Sequence, residues 1–336
     1  MIDFSFLSPV QDRLVDQIEL LHGQAIGKKL SVHSSKGTPE LEGIKIAIVG
    51  VLESRNSVDH IGEEFQLNEI RKAFYKLFPG NWLHSMADLG DIQKGVSVED
   101  TYFALIEVVS SLIKADIIPI IIGGSQDLTY ANYRAYDKIN SMVNIVNIDK
   151  SFDLGDSSKP ITNGSYLGKI ILEQPYNLFN YTAIGFQTYF NSQEEVDLME
   201  KLYFESYRLG DIAHSIRLVE PVLRDADIVT LDLNSVKSSE VSLKQKYSPN
   251  GFDGREICSI SRYAGISNKV SSFGVYEYRP SQNDEATTML VAQIIWYFIE
   301  GVNCRVNDDD FSVQGNYLKF TVLVEDEELV FFKSKK

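Results

Sequence analysis

The chain has 336 residues, of which 44% are hydrophobic and 24% are charged, the balance of an ordinary folded protein. Its formal net charge of −15 argues against nucleic acid or an anionic membrane as a partner, because concentrated Lys and Arg bind phosphate groups. The two cysteines are too few for a disulfide framework, and no apolar run approaches the ~20 residues of a membrane span. The first twelve residues lack a signal-peptide pattern. We therefore expect a cytoplasmic protein without membrane insertion.

Apolar periodicity along the chain predicts alternating strands and helices. An amphipathic pattern at Leu14, Ile18 and Leu21 predicts a first helix. Strands are predicted at residues 44–51, 117–122, 143–148, 181–186, 227–231 and 269–277. Helices are predicted at residues 64–77, 98–114, 193–204, 211–223, 253–264 and 286–300. This alternation predicts a three-layer αβα fold in which helices cover both faces of a mostly parallel sheet.

The last thirty residues change this rhythm. Residues 317–324 and 328–333 have the alternating pattern of two half-buried strands, joined by a turn at 325–327. We therefore divide the chain into an α/β domain at 1–302 and a C-terminal extension at 303–336, a β-hairpin. The extension has no catalytic residue types, which favours packing or contact with an unknown protein partner.

Three polar segments each follow a predicted buried strand. They are residues 123–127 (GGSQD), 149–153 (DKSFD) and 232–234 (DLN). In open α/β sheets, active sites lie at the carboxyl ends of successive strands. The sequence therefore predicts one site that combines these segments.

In this order, the three segments resemble the metal-binding segments of the ureohydrolase family of arginases, agmatinases and formimidoylglutamases, which read GGDH, DAHxD and DxDxxDP. The similarity covers roughly residues 44–301. Supporting features are DLGD at 88–91, GF and RE at 251–256, Glu277 with Pro280, NGSY at 163–166 and IGFQ at 184–187. The last two are most similar to the formimidoylglutamase branch. The resemblance implies an arginase-like fold and a homo-oligomer.

The resemblance also implies a chemistry, in which two histidines and four aspartates hold two manganese ions. The ions share a hydroxide and aim it at the carbon of a guanidinium or formimino group. Carried over residue by residue, this sequence keeps three aspartates and replaces both histidines and one aspartate. The kept ligand positions are Asp149, Asp153 and Asp232, and the replaced ones are Gln126, Ser151 and Asn234. None of the five histidines lies within the three segments.

A site that has lost half of its ligands should lose most of its metal affinity, since weakening even the support of a ligand costs roughly 10–100-fold. The first hypothesis is therefore a ureohydrolase-fold binding or scaffold protein that has lost manganese catalysis and holds no cofactor. The alternative is a formimidoylglutamase- or arginase-like hydrolase of linear amidines with a rearranged or mononuclear metal site. A third hypothesis is a small-molecule sensor. Its pocket candidates are Asn163, Ser165 and Glu277, of which Glu277 matches a family residue that holds the substrate's cationic group.

The three kept aspartates have three interpretations. They cap turns by accepting backbone N–H bonds. Alternatively, Lys150 or Lys237 replaces the lost metal charge, because clustered carboxylates without a cation repel one another and have raised pKa values. The third interpretation is a weakened site for Mg²⁺ or Ca²⁺, in which Gln126, Asn234 and Asp127 add oxygen donors.

Overall fold

A parallel sheet forms the centre of the molecule. The computed structural model describes residues 2–58, 64–156, 158–242, 248–279, 284–306, 317–324 and 327–334. The strands of the sheet are β1 (Leu30–Val32), β2 (Ile44–Val51), β3 (Ser85–Ile92), β4 (Ile118–Gly123), β5 (Val143–Ile148), β6 (Leu178–Phe186), β7 (Glu205–Arg208), β8 (Ile228–Asp232) and β9 (Ser272–Tyr276). Their order is β1-β3-β2-β4-β9-β8-β5-β6-β7, and each neighbouring pair is parallel.

Helices cover both faces of this sheet. They are α1 (Asp12–Glu19), α2 (Asn68–Lys76), α3 (Val98–Lys114), α4 (Leu128–Arg134), α5 (Tyr166–Leu172), α6 (Gln193–Lys201), α7 (Leu209–His214), α8 (Val219–Arg224), α9 (Gly254–Ile266) and α10 (Glu285–Asn303). Ile46 and Ile48 of β2 belong to the core that includes α2, α9 and α10. Ala47 and Val49 belong to the core beneath α3 and α4, because successive strand residues point to opposite faces. The predicted three-layer fold is confirmed.

Two predicted helices differ in more than small shifts of their ends from the helices in the structure. The helix predicted at 64–77 begins only at Asn68. The helix predicted at 211–223 is broken at Ser215, whose φ of −146° and ψ of 88° are not helical. The sequence pattern missed the break because apolar residues continue at helical spacing on both sides of it.

The strand β3 was not predicted, because it carries buried charges within its apolar run. The Arg71 guanidinium in α2 pairs with Asp88 at 2.9 Å and with Asp91 at 2.8 Å. The Tyr75 hydroxyl donates a further bond to Asp88 at 2.8 Å. The Arg71 side chain is 1% exposed, so the DLGD segment at 88–91 forms a buried ion network that joins α2 to the sheet.

The two tryptophans of the chain contact each other. The Trp82 and Trp296 ring centroids are 5.4 Å apart, and the Trp296 indole N–H donates to the Phe78 carbonyl at 2.8 Å. Trp82 precedes the first residue of β3, so the pair lies toward the edge of the sheet where the strands begin.

A separate antiparallel hairpin confirms the prediction for the C-terminus. Its strands are β10 (Tyr317–Val324) and β11 (Glu327–Ser334), and among the described residues they pair only with each other. Residues 307–316, 325 and 326 lie outside the described part of the chain. The domain division at residue 302 therefore stays a prediction. In the described residues, no helix has the length and apolar character to cross a membrane.

Candidate functional site

The three polar segments lie side by side at one edge of the sheet. They follow β4, β8 and β5, and the intervening strand β9 is followed by Glu277. The register pairs Ile122 with Val275, Asp232 with Tyr276 and Leu231 with Ile148. Four neighbouring strands therefore end at the same level, as expected for an open α/β site.

The first segment turns sharply after β4 because of Gly124. A Cβ atom at this position would overlap the carbonyl oxygen of Glu53. The turn brings the Ser125 N–H within 3.1 Å of the same oxygen and aims the Gln126 N–H at the Glu277 carboxylate. Gly124 therefore provides the close backbone approach on which the position of Gln126 depends.

Glu277 lies at the centre of the site. Its side chain is fully buried, and its φ of 63° is uncommon for a residue with a Cβ atom. The carboxylate accepts the Gln126 backbone N–H at 2.9 Å and the Asn163 side-chain amide at 3.1 Å. It also accepts the Asn234 side-chain amide at 3.5 Å. The structure thus joins two replaced ligand positions to two predicted pocket residues.

Arg279 completes this cluster and was not among the predicted site residues. Its side chain is 6% exposed, and its Nη2 donates both to Glu277 and, at 2.8 Å, to the Ser57 hydroxyl. No pattern in the sequence identified it, because β9 ends at Tyr276 and the φ of 63° at Glu277 breaks the strand alternation that would relate Arg279 to Glu277.

The second segment forms its own cluster of acids. The Ser151 hydroxyl lies 2.8 Å from Asp153 and 3.4 Å from Asp149, and Asp153 has a φ of 55°. Burial, reinforced by the charge of Asp153 and a hydrogen bond with it, raises the pKa of Asp149 well above its ordinary value. The positive charge of Lys150 lowers the Asp149 pKa, but this effect is smaller than the effects of burial and of Asp153.

Both lysines that could replace the metal charge contact groups outside this acid cluster. The Lys150 Nζ lies 4.6 Å from the centroid of the Phe190 ring. The Lys237 Nζ is 3.9 Å from both Glu240 and Asp253, and its side chain is 31% exposed. The charge-replacement role stays a prediction.

Asp232 begins the third segment and caps a turn. Its carboxylate accepts the backbone N–H of Asn234 at 2.6 Å, at the start of the short helix Leu233–Ser235. This contact agrees with the capping interpretation of the kept aspartates. Ser165, a pocket candidate, instead bonds within its own loop, where its hydroxyl lies 2.9 Å from the Thr162 N–H and hydroxyl.

Asp127 and Asn147 add buried polarity around the segments. Burial raises the pKa of Asp127 to about 6, against hydrogen bonds from Ser125 and Tyr102. Asn147, within β5, accepts a bond from the Gln126 side-chain amide at 3.1 Å and another from Thr230 at 2.7 Å. Asn147 was missed by sequence reasoning, although an amide inside an aliphatic strand was a visible signal.

The donor chemistry of the replaced positions does not fit the family's manganese pair. Gln126, Ser151 and Asn234 each direct an N–H or O–H group at a neighbouring oxygen, where a metal ligand would present a lone pair. In the described part of the chain, no three His, Cys, Asp or Glu side chains lie together as metal ligands would. The Gln126 Oε1 accepts no hydrogen bond from described groups, so its lone pairs could ligate Mg²⁺ or Ca²⁺. This weaker metal site stays a prediction.

Residues 44–300 match the sequence model of the arginase family. The chain belongs to the arginase family. This match has nearly the span expected from the motif resemblance. A formimidoylglutamase of Staphylococcus epidermidis is 24% identical over 248 residues, which cover 70% of this chain and 78% of that protein. The predicted likeness to the formimidoylglutamase branch of the arginase family is confirmed.

Solved structures of arginase-family proteins share the fold. Formimidoylglutamase from Bacillus subtilis superposes with a TM-score of 0.70 at 19% identity, covering 78% of this chain and 88% of that one. Formiminoglutamase from Trypanosoma cruzi, solved with Mn²⁺, gives a TM-score of 0.71 at 18% identity, covering 80% and 96%. At these identities the likeness shows the fold alone. It does not indicate whether the replaced ligand positions of this chain bind a metal.

Proposed function

We propose that this arginase-family protein has lost binuclear manganese catalysis and acts as a binding or scaffold protein. One observation carries the proposal, namely that the three replaced ligand positions serve as hydrogen-bond donors within the site. Gln126 donates to Asn147, Ser151 to Asp153, and Asn234 to Glu277. We further propose that the protein forms homo-oligomers in the cytoplasm, as the family resemblance implies.

Metal analysis of the purified protein tests this proposal. The protein, expressed with added Mn²⁺ and purified without a histidine tag, should contain far less than one manganese per chain. As the matched control, the triple variant Gln126→His, Ser151→His, Asn234→Asp restores the family ligand set on the same backbone. It should gain manganese if the strand-end geometry is intact. Stoichiometric manganese in the unaltered protein, together with release of formamide or urea from a linear amidine, would overturn the proposal.

A second candidate is a formimidoylglutamase-like hydrolase with a rearranged or mononuclear metal site. The similarity to the Staphylococcus epidermidis protein favours it, because that relative carries the activity in its name, and Asp149, Asp153 and Asp232 are kept. It predicts metal-dependent release of formamide from formimidoylglutamate that Asp149→Asn and Asp232→Asn both abolish. No release with Mn²⁺, Mg²⁺ or Ca²⁺ would exclude this candidate and favour the first.

A further inference from the structure

The Glu277 carboxylate is balanced by a cation from its own chain. The described partners of this carboxylate are three neutral donors (Gln126, Asn163 and Asn234) and one charged group, the Arg279 guanidinium. A second acid, Asp127, is close enough for the charge of Glu277 to raise its pKa. The Glu277 carboxylate therefore depends on the Arg279 guanidinium for its charge balance.

The Arg279 guanidinium is seated as a bound ligand would be. It is almost fully buried, and one nitrogen bridges the Glu277 carboxylate and the Ser57 hydroxyl. Its Nε makes no hydrogen bond to the described residues. One N–H donor is therefore unused, because the guanidinium is attached to the backbone through its own side chain. A free guanidinium ion carries the same planar charge and more donors, and it would not have this restriction.

We propose that Glu277 forms a guanidinium-binding seat that Arg279 fills from within the chain, closing it to external cations. Emptied of Arg279, the seat would bind small guanidinium or amidinium ions. The inference rests on the proposed function in one respect: with no metal pair in the site, the charge of Glu277 must be balanced by the protein. Its test below uses neither metal content nor turnover, so the two can fail separately.

Chemical rescue of Arg279→Ala tests the seat. We expect this variant to melt roughly 4–7 °C below the unaltered protein, because one partner of a buried ion pair is lost. Guanidinium chloride up to 10 mM should restore at least half of that loss with saturation. For so small a ligand, the tightest dissociation constant is on the order of tens of micromolar. Over the same range the unaltered protein should show no rise in melting temperature.

Matched controls separate the seat from a general salt or solvent effect. Urea has the same planar shape without charge, and tetramethylammonium chloride has the charge without N–H donors, so neither should restore the melting temperature. The double variant Glu277→Gln, Arg279→Ala lacks the carboxylate and should not respond to guanidinium. If guanidinium fails to raise the melting temperature of Arg279→Ala, or if it acts equally on the double variant, the proposal is overturned.

The proposal stays testable if Arg279→Ala does not fold. The double variant removes both charges, and replacing both partners of a buried pair is far less harmful than removing one. A folded double variant beside an unfolded single variant would support the charge-balance argument. Failure of both to fold would overturn it, because the loss would then come from packing around residue 279 rather than from an unpaired carboxylate.

Discussion

Gln126, Ser151 and Asn234 differ from imidazole and carboxylate ligands in the direction of the hydrogen bonds that they make here. Each donates a hydrogen bond to a neighbouring oxygen. Gln126 and Asn234 thereby connect their segments to Asn147 and Glu277. The kept acids are consequently held by protein groups. The electrostatic state of these buried carboxylates therefore affects how stability responds to mutation and pH.

Lys150→Ala and Lys237→Ala should each change the free energy of unfolding by less than about 1 kcal/mol. The Lys150 ammonium lies over the Phe190 ring, and Lys237 is a partly exposed, long-distance partner of two acids. Urea denaturation measures both changes. Arg71→Met, which removes a fully buried cation, is the positive control and should cost about 3–5 kcal/mol. A comparable loss in either lysine variant would instead support the charge-replacement role.

Asp127 should make the protein less stable as the pH rises from 4 to 7. Its folded-state pKa of about 6 lies above the ordinary value of 3.8, so the folded protein binds more protons between these pH values. The stabilisation by this carboxyl is complete below pH 3.8 and is lost as the pH rises through about 6. The free energy of unfolding changes by about 3 kcal/mol in this range.

Denaturation of the unaltered protein and of Asp127→Asn across this range measures the effect. The difference in unfolding free energy between the two should decrease with rising pH, since most other titrating groups contribute equally to both proteins. A pH-independent difference for Asp127→Asn would contradict the assignment of the raised pKa to this carboxyl.

Six of the nine described strands of the parallel sheet could be predicted from the sequence, because most of their residues are buried on both faces; they are β2, β4, β5, β6, β8 and β9. Residues 44–51 and 143–148 are nearly continuous aliphatic runs, and both strands have the predicted bounds. β3 was hidden by Asp88 and Asp91, whose burial depends on Arg71 in a different element. Arg279 was missed for the same reason. Its role depends on Ser57 and on neighbours from three other strands, which no local pattern specifies.

The turn between β4 and α4 is the element on which the site depends most directly. We expect Gly124→Ala to destabilise the protein by about 2 kcal/mol or more, because the new methyl group would meet the backbone carbonyl of Glu53. Gly164→Ala is the matched control, since a Cβ atom there would have nothing within 4 Å. Thermal and urea unfolding compare the two variants, and equal losses would show that the turn accommodates the methyl group.

Among the described residues, the strands of the hairpin form a sheet of their own and do not extend the parallel sheet. Large apolar side chains on both of its strands are exposed, including Leu318, Phe320, Leu329 and Phe331 at 42–53%. A two-stranded sheet alone is marginally stable in water, and exposed apolar surface of this kind marks interaction sites. This exposed apolar surface is the observation that favours the predicted contact with a protein partner or a second copy of the chain, which stays a prediction.

Truncation after residue 306 should leave the melting temperature of the remaining chain within about 2 °C of the full-length value. The cut keeps the last contacts of the α/β domain, in which Arg305 donates to the Gly265 and Val270 carbonyls at 2.8 Å. A cut after residue 304 is the control and should destabilise, because it removes those bonds. Light scattering of the full-length and 306-residue chains should show a smaller assembly for the latter. A large fall in the melting temperature after the cut at residue 306 would place the hairpin within the α/β domain.

The contact between Trp82 and Trp296 limits what intrinsic fluorescence can report. Both indoles of the chain lie together toward the edge where the strands begin, and the candidate site lies where the strands end. Eight residues of β3 separate these edges by about 26 Å. The tryptophan emission should therefore change when the protein unfolds, and it should not change when a ligand binds near Glu277. A probe of occupancy has to be introduced near Glu277, and the native tryptophans provide its built-in reference for unfolding.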